Sequence, residues 1–153
     1  MDKDYLEKLV SKSNYLIGDK VHMIDKNAYV LHNNELKKYD ITFNQSLVIL
    51  HVYHSTNTYI YQKDIEKALG LTNPSVTSLI KTMMKKDLIY RIKDENDGRY
   101  YHLHLTPRSI ELVDPVMACI KKVDAMITKA LTDEERETFN KLLDKMLTTI
   151  IIE

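Results

Sequence analysis

The spacing of apolar residues along the chain predicts a mainly helical protein. From Leu6 to Leu31 they recur at steps of three and four, as on one face of an α-helix, which predicts a long amphipathic helix over about 4–37. A second helix is expected after Thr42, whose hydroxyl can accept a hydrogen bond from a free amide of the first turn. The residues that this second helix is expected to bury are Phe43, Leu47, Val48, Leu50 and Tyr53.

The middle of the chain carries the signals of two closely spaced helices. A short helix over about 62–69 is expected to end at Gly70, because glycine takes the left-handed conformation that often ends a helix. The next helix is expected to start at Thr72 or Asn73, with Pro74 in its first turn, where a missing N–H costs nothing. The residues that this helix is expected to bury on its way to Lys86 are Val76, Leu79, Ile80 and Met83.

Two segments rich in β-forming residues follow, and they predict a β-hairpin. Residues 88–93 (LIYRIK) and 100–105 (YYHLHL) are separated by DENDGR, in which Asp97 and Gly98 are expected to form the tight turn. Side chains alternate between the two faces of a strand. The set expected to face the domain is Tyr101, Leu103 and Leu105. The set expected to face solvent is Tyr100, His102 and His104.

The C-terminal part of the chain is predicted to be helical over about 107–130 and 132–152. Pro115 should bend the first of these helices, because its ring displaces a carbonyl of the preceding turn. Thr132 and Glu135 have the spacing of a capping box, which marks the start of the second helix.

A short helix, a turn, a second helix and a hairpin in this order predict a winged helix-turn-helix lobe over 42–106. The flanking blocks, 1–38 and 107–153, carry apolar stripes that a small winged domain cannot cover, including Ile150–Ile152. We therefore expect these blocks to form the dimerisation helices of a homodimer. The predicted fold class is mainly α with a small β-hairpin wing, in a single protomer spanning residues 1–153.

Composition narrows the class of protein. The 22 basic and 22 acidic residues balance, so net charge alone neither favours nor excludes a nucleic-acid partner. The single cysteine, Cys119, rules out an internal disulfide framework and is typical of a reducing compartment. The sequence shows neither a signal peptide nor an apolar run long enough for a membrane span, so we expect a cytoplasmic protein with no membrane partner. No P-loop, dinucleotide fingerprint or nucleophile–base motif is present, so neither enzymatic activity nor a cofactor is expected.

The fourth predicted helix is a candidate DNA-binding helix. Residues 61–108 contain nine basic and six acidic residues, and this excess of positive charge favours DNA binding. Burial of the apolar face turns lysines and small hydroxyl residues outwards, and small residues let a helix lie deep in a major groove. The candidate contact residues are Thr72, Asn73, Ser75, Thr77, Ser78, Lys81 and Lys85. A solvated helix face without a partner is the alternative interpretation.

The hairpin tip supplies a second set of candidate contacts. Arg99 follows Asp97 and Gly98, and the tip would project its guanidinium far enough to enter a minor groove. Asp97 is close enough in sequence to pair with Arg99 and to hold its direction. The alternative is a surface ion pair, which contributes less than about 1 kcal/mol.

These segments resemble the MarR family of bacterial winged helix-turn-helix regulators over nearly the whole chain. The resemblance is carried by ITFNQSLVIL (41–50), by LGLTNPSVTSLIKTMMKKDLIYR (69–91), and by DGR with HLHLT (97–106). Two departures concern backbone turns, because Asp87 and Ser109 stand where the family usually has glycine. The resemblance implies a homodimer that binds a pseudo-palindromic double-stranded DNA operator, as a repressor rather than an activator. It also implies a small aromatic or amphipathic effector, bound between the dimer helices and the winged lobes.

Three alternatives remain at this stage. The near-neutral overall charge also fits a winged-helix module that docks on a protein. The pairs His51/His54 and His102/His104 could each chelate a metal, as in a metal-responsive regulator of the same fold, but neither has a third ligand nearby in the sequence, so no metal site is expected. Cys119 could serve a redox-responsive regulator, but its mid-helix position favours a packed thiol.

Overall fold

The computed structural model describes Glu7 and residues 16–55 and 58–152, with side chains up to residue 150. The helices are α1 (Ile17–Leu36), α2 (Phe43–His54), α3 (Gln62–Leu69), α4 (Asn73–Lys85), α5 (Pro107–Glu111), α6 (Val113–Ile127) and α7 (Asp133–Ile152). The strands are β1 (Ile60–Tyr61), β2 (Ile89–Lys93) and β3 (Tyr101–Leu105). The predicted helix over 4–37 is confirmed from Ile17 to Leu36, and its earlier part lies outside the described residues.

The start of α2 is fixed by the predicted cap at Thr42. The Thr42 hydroxyl accepts from the Gln45 backbone N–H at 3.3 Å, and the Gln45 side-chain oxygen accepts from the Thr42 backbone N–H at 3.0 Å. This reciprocal pair satisfies two backbone donors that a helix start otherwise leaves free. The turn before it, Lys37–Tyr39, is a 3₁₀ helix that ends at Asp40 in the left-handed conformation, with φ 56°.

Replacing Thr42 by alanine is expected to lower the free energy of unfolding by about 1 kcal/mol, because the first turn of α2 loses its side-chain acceptor. Urea unfolding followed by circular dichroism measures the change. The control is Thr82→Ala, which removes a hydroxyl from the exposed face of α4, where it only bonds back to the Ser78 carbonyl. Alanine favours a helix interior, so this control should be neutral or slightly stabilising. Equal stability of Thr42→Ala and the wild type would show that the cap contributes nothing.

Burial along α2 differs in part from the prediction. Val48 is fully buried as expected, but Ile49 beside it is equally buried, and Tyr53 is exposed. Phe43 and Leu50 are half-buried against the core, and Leu47 is half-buried as well. The reason is that α2 packs against α3, α4, α5 and β3, so it is covered on more than one side. A single apolar stripe therefore describes it poorly.

The two middle helices form as predicted. Helix α3 ends at Gly70, which has φ 63°, and α4 begins at Asn73 with Pro74 in its first turn. Helix α4 buries Val76, Ile80 and Met83 and leaves Leu79 half-buried against the core.

Helix α4 ends in a left-handed residue that is not glycine. Asp87 has φ 53°, the Asp87 N–H donates to the Met84 carbonyl at 3.1 Å, and the Leu88 N–H donates to the Met83 carbonyl at 2.9 Å. This pattern is a Schellman motif, in which the left-handed position usually holds glycine. Asp87 stands where the family usually has glycine, but it still adopts the left-handed conformation of this motif. Aspartate tolerates that conformation better than most residues.

The predicted hairpin is confirmed, but it belongs to a three-stranded antiparallel sheet of order β1–β3–β2. Strand β1 pairs Ile60 with Leu103 and Tyr61 with His102. Two residues are too few to show a period in the sequence, so this strand was missed. Its presence makes β3 the central strand.

The expected burial along β3 is wrong at two positions. Tyr101 is 41% exposed and His102 only 6% exposed, the opposite of the prediction. Tyr101 lies near the hairpin tip, beyond the core, with the Arg91 guanidinium 4.8 Å from its ring centroid. His102 lies on the other face, where the Tyr59 ring stacks on it at 4.2 Å. Alternation predicted the direction of these side chains, but packing decided their burial.

The hairpin tip lies in the predicted segment, but its turn is centred one residue later than predicted. The Tyr100 N–H donates to the Asp97 carbonyl at 2.9 Å, so Gly98 and Arg99 occupy the centre of the turn. The primed turn types of β-hairpins require a positive φ, which Gly98 does not have. Among the described glycines, Gly70 has a positive φ. A side chain at Gly98 would instead meet the end of the Lys93 side chain, at 2.8 Å.

The C-terminal helices differ from the prediction at one point. A single bent helix over 107–130 was expected, but α5 ends at Glu111 and α6 begins at Val113, with Pro115 in its first turn. The proline has no N–H to continue the α5 ladder, so the chain ends one helix and starts another. The predicted capping box of α7 is confirmed, because the Thr132 N–H donates to the Glu135 carboxylate at 2.8 Å and the Glu135 N–H to the Thr132 hydroxyl at 3.2 Å.

The chain divides into two compact units. One unit, Tyr29–Ile120, holds the winged lobe and a buried core that includes Leu36, Val48, Val76 and Leu103. The other unit combines the described residues up to Ala28 with those from Lys121 to Ile152. Among the described residues, none of the helices has the length and apolar character needed to span a bilayer.

Candidate nucleic-acid interface

Helix α4 presents one polar face to solvent. Because Val76, Ile80 and Met83 are buried, the helical period turns the other side outwards. The predicted contact residues of this helix and its cap are all exposed: Thr72, Asn73, Ser75, Thr77, Ser78, Lys81 and Lys85. Their side chains are short, apart from the two lysines, so the α4 backbone lies close to the surface.

Polar contacts with α3 fix the orientation of this face. The Gln62 side-chain amide donates to the Thr77 hydroxyl at 2.7 Å and to the Glu66 carboxylate at 3.1 Å. The Asn73 amide donates to the same Glu66 carboxylate at 2.6 Å. The exposed side chains of Asn73 and Thr77 therefore also form the hydrogen bonds that hold α4 against α3. Sequence reasoning missed Gln62 and Glu66, although their spacing of four residues on a short helix places them on one face.

Two basic side chains near the end of α4 already form hydrogen bonds within the lobe. The Lys86 ammonium donates to the Asp40 carbonyl at 2.6 Å and to the Asp40 carboxylate at 2.9 Å. Arg108 donates to the Lys86 carbonyl. Lys81 and Lys85, by contrast, are exposed on the outer face of α4. The positive charge offered by α4 is thus concentrated on these two lysines.

The wing tip holds Arg99 in a bidentate pair with Asp97. The Arg99 Nε lies 3.0 Å from Asp97 Oδ1, and its Nη2 lies 2.7 Å from Asp97 Oδ2. The Arg99 backbone N–H also donates to the same carboxylate at 3.1 Å. The guanidinium lowers the pKa of the Asp97 carboxyl, and the carboxylate raises the pKa of Arg99. The pair is therefore fully ionised at neutral pH, and the Arg99 side chain remains 83% exposed.

A groove of about 720 Å³ separates α3 and the start of α4 from the wing. Three of the predicted contact residues, Asn73, Asp97 and Arg99, line it together. The structure thus brings the helix and wing candidates to one concave surface. The remaining predicted residues of α4 are exposed, but they are not part of the groove wall.

The alternative sites have less structural support. His102 Nδ1 lies 2.6 Å from His104 Nε2, so these two rings share a hydrogen bond, and burial lowers the pKa of His104. Within residues 16–55 and 58–152 no group of three or more His, Cys, Asp or Glu side chains is placed to hold a metal ion. The Cys119 thiol is buried, as the sequence predicts, and lies 3.8 Å from the Glu35 carbonyl.

The α3–turn–α4 unit, followed by the β2–β3 hairpin with its projecting tip, defines a winged helix-turn-helix protein. A model of the MarR family matches residues 39–99. The transcriptional regulator MgrA of Staphylococcus aureus is 31% identical over 115 residues, which are 75% of this chain and 76% of that protein. The chain belongs to the MarR family of winged helix-turn-helix transcription regulators.

Solved structures agree with this assignment. The chain is similar to MepR of S. aureus in a crystal structure of its DNA complex, with a TM-score of 0.79, 29% identity, and coverage of 89% of this chain and 99% of that one. The reduced form of MarR from E. coli shares the fold, with a TM-score of 0.80 at 23% identity over 89% of this chain and 99% of that one.

Proposed function

We propose that this protein is a homodimeric repressor that binds a pseudo-palindromic DNA operator and releases it when a small effector binds. The observation that carries the proposal is the groove bordered by α4 and the wing, with Arg99 held by Asp97 and exposed to solvent. MepR, which is similar over nearly its whole length, was crystallised with DNA. In this protein α4 would enter the major groove and the wing would reach the adjacent minor groove.

Helix α4 has the surface that a major-groove helix needs. Ser75, Thr77 and Ser78 are short enough to let the backbone approach the base edges, and their hydroxyls donate or accept. The Thr72 and Ser75 hydroxyls already bond each other at 2.9 Å, so the first turn presents a defined pair of polar groups. Lys81 lies farther along the same exposed side, where it would contact a phosphate and set the register.

A homodimer is supported by the apolar side chains that one protomer leaves exposed. Helix α7 exposes Phe139, Leu142, Met146, Leu147 and Ile150. Their spacing places them on one face of the helix. Helix α1 and the residue before it expose Leu16, Ile17, Val21 and Ile24 in the same unit. Exposed apolar residues on two helices of one unit are typical of a protein–protein interface rather than of a surface that stays in water.

An effector site is supported by a cavity of about 640 Å³ in the unit that contains α7. Its apolar wall includes Val21, Ile24, Ile127 and Phe139, and Arg136 supplies a cation. Val21, Ile24 and Phe139 also belong to the proposed dimer surface, so the effector would bind where the protomers meet. The wall also carries the carboxylates of Asp25, Asp124 and Glu137, so a small amphipathic molecule with an aromatic body and a polar group fits this combination. Repression would end if the effector favours an arrangement of the two protomers in which the α4 helices no longer match the operator half-sites. A difference of a few kcal/mol between the effector's binding free energies for the two arrangements is enough.

The test begins with selection of an operator from a random double-stranded DNA pool, followed by a salt titration of binding. A DNA reader loses affinity steeply as salt rises, because each phosphate contact releases counterions. A winged-helix module that docks on a protein would select no sequence. Selection of a pseudo-palindrome with two half-sites supports the proposal, whereas the absence of any enriched sequence contradicts it.

Lys81→Ala is expected to weaken binding to all DNA sequences and to reduce the slope of log affinity against log salt by about one unit. The physical reason is the loss of one phosphate contact. Fluorescence anisotropy at several salt concentrations measures both quantities. Lys129→Ala is the matched control, because Lys129 is an exposed lysine in the turn that follows α6 and belongs to the other compact unit. If Lys81→Ala retains the slope of the wild type, Lys81 does not contact a phosphate.

A further inference from the structure

A hydrogen bond between Tyr61 and Asp94 joins the start of α3 to the wing. The Tyr61 hydroxyl donates to Asp94 Oδ2 at 2.5 Å across 33 residues of sequence. Tyr61 is the last residue of β1, and its backbone N–H donates to the Asp64 carboxylate in the first turn of α3 at 2.8 Å. The phenol is therefore anchored to the helix-turn-helix, and the carboxylate that it meets lies at the end of β2.

Asp94 in turn organises the tip of the wing. Its Oδ1 accepts from the backbone N–H of Asn96 at 2.8 Å and from that of Asp97 at 3.0 Å, and its own N–H donates to the Tyr100 carbonyl at 2.9 Å. Asp97 then holds the Arg99 guanidinium. A continuous chain of hydrogen bonds thus leads from α3 to the arginine of the wing.

The tip has little else to fix its position. Between β2 and β3 only Asp94 and Asp97 are half-buried, and the other residues are exposed. A hydrogen bond to a carboxylate is shorter and stronger than one between neutral groups. The bond to Asp94 raises the pKa of Tyr61 to about 12 and lowers the pKa of Asp94. The phenol therefore remains the donor and the carboxylate the acceptor throughout the neutral range.

The charge of Asp94 is unfavourable for DNA binding in itself. A carboxylate close to a phosphate backbone repels it, and Asp94 lines the same groove as Arg99. An acidic residue at this position is explained if its acceptor oxygens are needed to shape the tip.

We propose that Tyr61 and Asp94 are positioning residues that hold the wing tip, and with it Arg99, at a fixed distance from α4. This inference rests on the proposed DNA-binding function. Neither residue needs to contact DNA, because each acts on the arginine through the turn. The pair would set how deeply the guanidinium enters the minor groove, and so the preference for narrow A·T-rich flanks.

Tyr61→Phe removes the hydroxyl and retains the ring. We expect it to lower affinity for the selected operator about fivefold to tenfold, less than the full cost of a lost hydrogen bond to a charged group, because Asp94 keeps its bonds to the turn amides. We also expect a weaker preference for A·T-rich over G·C-rich flanks. Tyr90→Phe is the control, because Tyr90 lies on β2 of the same sheet and its ring stacks on His104. Wild-type affinity and flank preference in Tyr61→Phe would overturn the inference.

Asp94→Asn separates positioning from simple electrostatics, because the two predict opposite signs. Removal of a negative charge near DNA should by itself tighten binding. Loss of the charged acceptor should weaken binding, since the new amide would meet the phenol with a neutral group in place of a carboxylate oxygen, which makes a weaker hydrogen bond. We expect weaker binding, while Glu95→Gln, which removes the adjacent exposed charge, should bind as tightly as the wild type or slightly tighter. Tighter binding by Asp94→Asn would contradict the positioning role.

Amide exchange of the free protein tests the wing without DNA. In Tyr61→Phe the Asn96 and Asp97 amides should exchange faster in NMR measurements, while buried amides of α4 and the melting temperature should match the wild type. Unchanged exchange at the tip would overturn the inference even if the protein binds its operator. The two proposals can also fail separately. If the tip amides exchange faster in Tyr61→Phe but the wild type selects no DNA sequence, the Tyr61–Asp94 contact holds the tip and the proposed function is wrong.

Discussion

Arg99→Ala is expected to lower affinity for the selected operator by about tenfold or more, the largest effect of any single wing substitution. The guanidinium is 83% exposed and already directed by Asp97, so little reorganisation is needed when it enters a groove. A narrow minor groove concentrates negative potential, which stabilises the cation beyond an ordinary surface contact. Fluorescence anisotropy with operators of A·T-rich and G·C-rich flanks measures the effect. The wild type should prefer the A·T flanks, and Arg99→Ala should lose that preference.

Two further substitutions at the wing refine this prediction. Arg99→Lys should restore only part of the affinity, because an ammonium is more strongly hydrated and lacks the planar fork of arginine. Asp97→Ala should cause a smaller loss than Arg99→Ala, since it removes the group that orients the arginine and leaves the arginine itself. Lys129→Ala is the control for a cation lost outside the winged lobe. If the A·T preference survives in Arg99→Ala, the Asp97–Arg99 pair is only a surface ion pair.

Truncation after Lys145 is expected to convert the dimer into monomer or aggregate at micromolar concentration. The deletion removes Met146, Leu147 and Ile150, which lie on the exposed apolar face of α7. Operator affinity should fall in parallel, because a monomer can engage only one half-site. Sedimentation velocity measures the oligomeric state, and a truncated protein that remains a stable dimer would show that the interface lies elsewhere.

A point substitution tests the same interface with the full chain. Met146 is 40% exposed in the protomer, so Met146→Glu should fold normally. At an apolar interface the new carboxylate would be buried without a partner, and we expect the dimer dissociation constant to rise about a hundredfold. Thr148→Glu is the matched control, because the helical period places residue 148 on the opposite side of α7, where the exposed Thr148 donates to the Asp144 carbonyl. Equal dimer stability in both variants would contradict the proposed interface.

The exposure of the candidate site was predictable from the sequence, but its geometry was not. The helical period alone predicts that Ser75 and Lys81 face outwards once Val76 and Ile80 are buried. The Tyr61–Asp94 bond joins residues 33 positions apart, and the Gln62–Thr77 bond joins residues 15 apart. No periodic pattern records such pairs, because they depend on how α3 meets the wing and α4.

Local chemistry determined much of the fold from the sequence. The caps at Thr42 and Thr132 and the helix end at Gly70 depend on contacts within about one helical turn, so neighbouring residues are sufficient to specify them. Tertiary packing decided the features that involve distant partners. It buried Ile49 and His102 and exposed Tyr53 and Tyr101, against the prediction.

The sequence by itself thus determined the order of the elements, their caps and the polar face of α4, since these follow from backbone hydrogen bonding and side-chain periodicity. Only the tertiary structure decided that Ile60 and Tyr61 form a third strand, that His102 is buried, and that the wing tip is tied to α3. The physical reason is that free energy from burial and long-range hydrogen bonds depends on which surfaces meet in space. That information is carried by the folded chain as a whole rather than by any one segment.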